Sequence, residues 1–169
     1  EESVKQPEKY FENNTNNSIK LFNICKKNGL TKIVFSSTAA AYGLVSEDKL
    51  IDESTNLNPQ NPYAESKIKT EKFLFDNKDN FQFIILRYFN VAGADKKLRS
   101  GQISKNSTHL IKKISEVVVG KRDQIKIFGN DYNTPDGTAI RDYIHVSDLA
   151  DIHVEVSKYL LKNFESNLF

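Results

Sequence analysis

The chain has no methionine and no tryptophan, a single cysteine and only four prolines among its 169 residues. One thiol excludes an intrachain disulfide. Cys25 falls on a helical stretch, where a buried, inert thiol is expected, and a reducing cytoplasm is the simplest compartment for it. No apolar run approaches the about 20 residues that span a bilayer, and no charged-then-apolar leader occurs, so no membrane partner is expected. Basic residues never run longer than two, and the formal net charge is only +2. That balance argues against nucleic acid or an anionic surface as the main partner. Seven glycines are present, yet none form a Gly-x-Gly-x-x-Gly or Gly-x-x-Gly-x-x-Gly turn of the kind that cradles a dinucleotide's phosphates. Together with the missing initiator methionine, this leads us to expect an internal fragment of a longer protein, any such turn lying upstream of Glu1.

The apolar pattern is that of alternating helices and buried strands. Tyr10, Phe11, Ile19, Leu21, Phe22 and Ile24 give a helix from Pro7 to about Asn28, stopped by Asn28-Gly29. Lys32-Ile33-Val34-Phe35 and Phe81 to Leu86 are short, β-rich and continuously apolar, as strands of a parallel sheet are. Between them a polar loop, Leu44 to Pro62, precedes a helix from Ala64 to about Phe75. This rhythm predicts an α/β fold with a parallel sheet and helices on its faces. Beyond a polar connector at 95–100, we expect a helix over His109–Val119, strands at 125–128 and 143–146, and a last helix capped by Ser147 and running to about Leu161.

Tyr63-Ala64-Glu65-Ser66-Lys67 puts a phenol and an ammonium one helical turn apart on the same face. A phenol is a poor base at neutral pH, and a neighbouring cation favours phenolate, so the pair is a candidate acid/base whose tyrosine pKa lysine should depress. The spacing alone carries little weight, since chance supplies about one such match in a chain this rich in lysine. Its neighbourhood adds more. Ser36-Ser37-Thr38 closes the first strand and Arg87-Tyr88-Phe89-Asn90 the second, and in open α/β sheets ligands bind beyond the strands' carboxyl ends. His145 and His153, with Asp142 and Asp148, fit no metal-ligand spacing, so satisfied structural histidines are expected. Tyr132 and Tyr143 are expected to pack, and the acids at Glu47, Asp48, Asp52 and Glu53 to form a solvated surface.

Five blocks in order carry a resemblance. Phe35 to Gly43, Asn61 to Lys67 and Arg87 to Ala94 resemble the extended short-chain dehydrogenase/reductase family. Ile127 to Tyr132, with Asp136-Gly137-Thr138 and Arg141 to Val146, resemble its UDP-glucose 4-epimerase branch. The likeness runs from about Glu2 to His153. It implies a partial Rossmann-like sheet, residues 1–95 being the second half of an NAD-binding domain and 96–169 the truncated start of a smaller substrate domain. It also implies NAD as cofactor, C4 epimerisation of a UDP-hexose through a transient 4-keto sugar, and a homodimer built on the helices at 7–28 and 62–78.

Carried over by position, Tyr63 is the acid/base at the sugar 4-hydroxyl, Lys67 holds the nicotinamide ribose, and Thr38 bonds the same sugar oxygen. Asn13 and Phe89 match cofactor-contacting positions. Asn90, His109, Leu110, Lys126, Ile127, Phe128 and Arg141 match positions around the UDP, with Arg141 pairing the diphosphate and His109 standing where relatives carry Asn. A related nucleotide-sugar dehydratase or decarboxylase, and a non-catalytic fragment that cannot hold cofactor, stay open as alternatives. The alanines after Thr38 weigh against the dehydratase, which needs an acidic pair there.

Overall fold

The computed structural model describes residues 2–45, 50–104, 107–163 and 165–169; the acids Glu47 and Asp48 lie outside the described residues. Two short helices, α1 (Glu2–Lys5) and α2 (Pro7–Tyr10), lead into a π-helical stretch over Phe11–Asn16 and then α3 (Asn17–Lys27). The expected helix is therefore present, but wound wider in its middle. Pro7 opens α2, where its missing N–H costs no bond, and Gly29 ends the run at φ +76°. After β1 (Lys32–Ser36) comes a 3₁₀ turn, Ala39–Tyr42, and then α4 (Pro62–Asp76). Asn61 caps α4 by accepting from the Ala64 N–H at 3.0 Å, with Pro62 in the first helical position. Next come β2 (Gln82–Leu86), β3 (Asn90–Ala92), α5 (Leu110–Val118), β4 (Tyr143–His145), α6 (Val146–Asn163) and β5 (Asn167–Leu168).

The chain divides into two compact units: Glu1–Tyr88 with His153–Phe169, and Phe89–Ile152. This differs from a simple cut at residue 95, because the C-terminal residues join the first unit. The reason is pairing: β5, which the apolar pattern did not reveal, lies parallel to β2, and the second half of α6 covers the same sheet.

In the first unit the sheet order is β1-β2-β5, all parallel, with Lys32 opposite Gln82 and Ser36 opposite Leu86. Side chains alternate across a strand, so Phe83 and Ile85 face one side and Ile84 and Leu86 the other. Phe83 and Ile85 join Phe22, Phe35, Leu74 and Phe81 under α3 and α4; Ile84 and Leu86 meet Leu160 of α6. Burial on both faces explains the unbroken apolar run of β2. The π-helical stretch docks on α4 through hydrogen bonds, with the Phe11 ring centroid 4.2 Å from Lys69 Nζ. Thr15 Oγ1 donates to the Ser66 carbonyl at 2.8 Å, Asn14 Nδ2 to Ser66 Oγ at 3.1 Å, and Thr70 Oγ1 to the Asn14 carbonyl at 2.7 Å.

In the second unit β3 and β4 pair in parallel, with Asn90 opposite Tyr143 and Ala92 opposite His145. Two expectations fail here. Residues 125–128 form no strand: no partner strand lies beside them among the described residues, and Ile127 and Phe128 are exposed by 77% and 96%. An alternating pattern without a neighbour to bond has nothing to hold it extended. Ser147 is not the cap of α6, since the helix begins at Val146 and the Ser147 N–H donates to His145 Nδ1 at 3.1 Å. His145 is thus the satisfied structural residue expected, and so is His153, whose Nε2 lies 2.9 Å from Ser36 Oγ in the first unit.

Gly93, at φ +97°, passes so close to the His145 ring that a Cβ would sit 2.2 Å from Nε2. We expect Gly93→Ala to cost about 2 kcal/mol, from left-handed strain plus displacement of the imidazole from the start of α6. Thermal melts followed by circular dichroism check this; an unchanged melting point would show that the ring moves aside freely.

Candidate active site

The first unit assembles the hydroxyl, the phenol and the ammonium. β1 ends in Ser36, and the chain then turns through Thr38 into the 3₁₀ turn, Thr38 Oγ1 accepting from the Ala40 N–H at 3.1 Å. Tyr63 and Lys67 come from the first two turns of α4. Lys67 Nζ donates to the Ser36 carbonyl at 2.9 Å and lies 5.0 Å from the Phe35 ring centroid. The Thr38 side chain lies close enough to the Tyr63 phenol to lower its pKa. The Tyr63 ring packs edge-on against Tyr10, centroids 6.1 Å apart. Residues 38, 63 and 67 therefore gather at the carboxyl end of the parallel sheet.

The electrostatics differ from the expected depression of the tyrosine pKa. Burial pushes the Tyr63 phenol above its usual value; Thr38 pulls it back, and Tyr88 pushes it up again. Burial lowers Lys67, which Glu71 partly opposes. Both groups lean toward their neutral forms because the ammonium is aimed at a backbone carbonyl and desolvation dominates.

Asn13 lies on the π-helical stretch with its side chain exposed, its Oδ1 accepting from Asn17 Nδ2 at 3.5 Å. Phe89 opens the second unit and is 40% exposed.

A buried polar network behind the site was not foreseen. Arg87, read as a functional strand end, instead forks onto Glu71, with Nη2 to Oε2 at 2.5 Å and Nε to both oxygens at 3.1 and 3.2 Å. It also donates to the Tyr42 hydroxyl at 3.2 Å, and Ser37 Oγ donates to Glu71 Oε1. Burial alone would lower the arginine pKa, but its bonds to Glu71 and Tyr42 raise it on balance. Only the Lys67-to-Glu71 step of one helical turn could have signalled this from sequence.

The second unit contains a cleft of about 1080 Å³. Asn90, His109 and Leu110 line it on one side of the sequence, and Lys126, Ile127, Phe128 and Arg141 on the other, so all seven residues matched to the nucleotide fall in one cavity. Tyr132 and Tyr143, expected to pack, also line it and are exposed by 59% and 43%. Nothing in the local pattern separates a packing tyrosine from one that walls a cleft.

No helix among the described residues is long and apolar enough to cross a membrane. A family model described as "NAD dependent epimerase/dehydratase family" matches residues 1–164. The UDP-glucose 4-epimerase of Azospirillum brasilense is 52% identical over 155 residues, covering 90% of this chain and 44% of that protein. The UDP-glucose 4-epimerase of Streptococcus mutans is 47% identical over 170 residues, covering 99% and 51%. Among solved structures, the Brucella ovis UDP-glucose 4-epimerase in complex with NAD superposes with a TM-score of 0.89 at 40% identity, over 99% of this chain and 51% of that one. The chain spans about half the length of the curated relatives it matches. With a parallel α/β sheet, a Thr–Tyr–Lys cluster at its carboxyl end and a family model matched from residue 1 to residue 164, the chain belongs to the NAD dependent epimerase/dehydratase family.

Proposed function

We propose that the protein carrying this chain interconverts UDP-glucose and UDP-galactose by reversible oxidation and reduction at C4, with bound NAD. The observation that carries the reading is the meeting of Thr38, Tyr63 and Lys67 at the carboxyl end of β1, with the nucleotide-matched residues in one cleft of the second unit. The donor set suits the cofactor: a partly buried ammonium and a phenol can bond vicinal ribose hydroxyls, and Asn13 and Phe89 take the remaining contacts. When bound, NAD supplies the hydride acceptor and, in its oxidised form, a positive ring that favours phenolate.

The chain's own groups then orient the substrate and move the proton. Thr38 bonds the sugar 4-oxygen, and Tyr63 takes the 4-hydroxyl proton and returns it, so protein acid/base chemistry is reversible and leaves no net change. Arg141 and Lys126 supply charge for the diphosphate, while Ile127 and Phe128 offer apolar surface beside the base. Elimination is disfavoured, because positions 39–41 are alanines and supply no acid beside Thr38. Lone Cys25, unpaired, suits a reducing cytoplasm. Exposed Leu21 and Ile24 on α3 support a homodimer through this helix and α4.

The test is conversion of UDP-galactose to UDP-glucose by the protein supplied with NAD, followed by chromatography of the sugar nucleotides. Unconverted UDP-galactose, with NAD bound, would reject the reaction; failure to bind NAD would favour a non-catalytic role. We further expect Arg141→Gln to weaken UDP about 10-fold in calorimetry while leaving NAD content unchanged, from loss of one charge-assisted contact. Equal UDP affinity in that variant would remove Arg141 from the nucleotide site.

A further inference from the structure

Two consecutive residues of the β1 end are held by two consecutive turns of α4. The Ser36 carbonyl accepts from Lys67, and the Ser37 hydroxyl donates to Glu71. Glu71 is itself 2% exposed and forked by Arg87, which reaches on to Tyr42 in the 3₁₀ turn that follows Thr38. The backbone on either side of Thr38 is fixed as well, Ser37 N–H to the Leu86 carbonyl at 2.8 Å and Ala39 N–H to that of Tyr88 at 3.1 Å. We propose that Glu71 is a positioning residue of this site, its carboxylate seating the Lys67 ammonium on Ser36 and locking the Thr38 turn against the tyrosine helix.

The inference rests on reading Tyr63 and Lys67 as the proton-transfer pair, and it adds a role that touches neither substrate nor cofactor. An Arg–Glu pair built only for stability could lie anywhere in the core. This one lies one turn below Lys67, and its carboxylate opposes the loss of charge that burial imposes on that lysine. Lys67 meets Ser36 and Phe35 of β1 and feels the charge of Glu71 on α4; Tyr63 stands one turn before it on the same helix, Arg87 acts through Glu71, and His153 of α6 through the Ser36 hydroxyl.

Two variants separate positioning from stability. E71Q removes the charge but leaves Arg87 unpaired in the core; E71Q/R87M removes both charges and leaves no unpaired ion. In the double variant we expect the Lys67 amine to titrate at lower pH than in the parent, measured by pH-dependent competitive acylation and mass spectrometry of its peptide. The alkaline limb of kcat should move down by the same amount, because the charged lysine is lost earlier as pH rises. An unmoved Lys67 titration and an unmoved limb in the folded double variant would reduce the network to packing. The labelling readout does not depend on turnover, so it decides the proposal even if the protein fails to epimerise UDP-galactose.

Discussion

Replacing Tyr63 with phenylalanine is expected to lower kcat about 10³-fold while UDP affinity stays within about twofold of the parent. The ring survives the change, so its edge-on contact with Tyr10 is kept and stability should barely move. What is lost is the one hydroxyl that both meets Thr38 and can exchange a proton with a sugar oxygen. The proposed nucleotide site is made of residues of the second unit, whereas Tyr63 belongs to the first. The pH profile gives the sharper signature. Proton transfer needs phenolate, so activity of the NAD-loaded parent should climb with pH as phenolate forms, up to the alkaline limb at which Lys67 loses its charge. That climb should vanish in the variant. Stopped assays across pH, together with calorimetric UDP binding, measure both; turnover at the parental level would remove Tyr63 from the chemistry.

How much of this was legible from residues alone depended on whether a signal was local. β1, β2 and α4 were readable because a buried strand must be apolar throughout and because Asn61-Pro62 marks a helix start. β3 and β5 were not, being three and two residues long and held by partners distant in sequence: Asn90 pairs with Tyr143, and Ile84 with Asn167. Residues 125–128 misled in the opposite direction, since alternation of Ile, Lys, Ile and Phe also suits a cleft wall that leaves its apolar side chains exposed. The start of α6 was misplaced because its cap is an imidazole, a group that residue preference does not favour for that position.

The grouping of Thr38, Tyr63 and Lys67 was the most legible part of the candidate site. Spacing alone put Tyr63 and Lys67 on one face, and the hydroxyls at a strand's end said where that face should point. The sign of the tyrosine shift was not legible, because it depends on where the ammonium is aimed and how much water each group keeps. Lys67 donates to Ser36, and burial then governs both groups. The Glu71 network was invisible for a related reason. Its members at 37, 42, 71 and 87 sit on four different segments, and only folding shows that they share one carboxylate.

That network also carries the largest expected stability effect. Arg87→Leu should destabilise the first unit by about 3–5 kcal/mol, the range found when one partner of a buried ion pair is removed. The guanidinium side chain is 6% exposed and that of Glu71 2%, so water cannot screen the charge left behind. Without Arg87, the Glu71 carboxylate retains the Ser37 hydroxyl but loses the fork that neutralised it. Leucine occupies part of the space without replacing any bond. Arg87→Lys should recover only part of the loss, since a single ammonium cannot bond both carboxylate oxygens in the planar geometry that guanidinium provides. Removing both charges should restore more than either single change, because two neutral groups leave no ion in the core. Urea unfolding of the four proteins, followed by fluorescence and circular dichroism, tests the order parent, double variant, lysine variant, leucine variant. A leucine variant within about 1 kcal/mol of the parent would mean that the pair is solvated after all, as exposed ion pairs are.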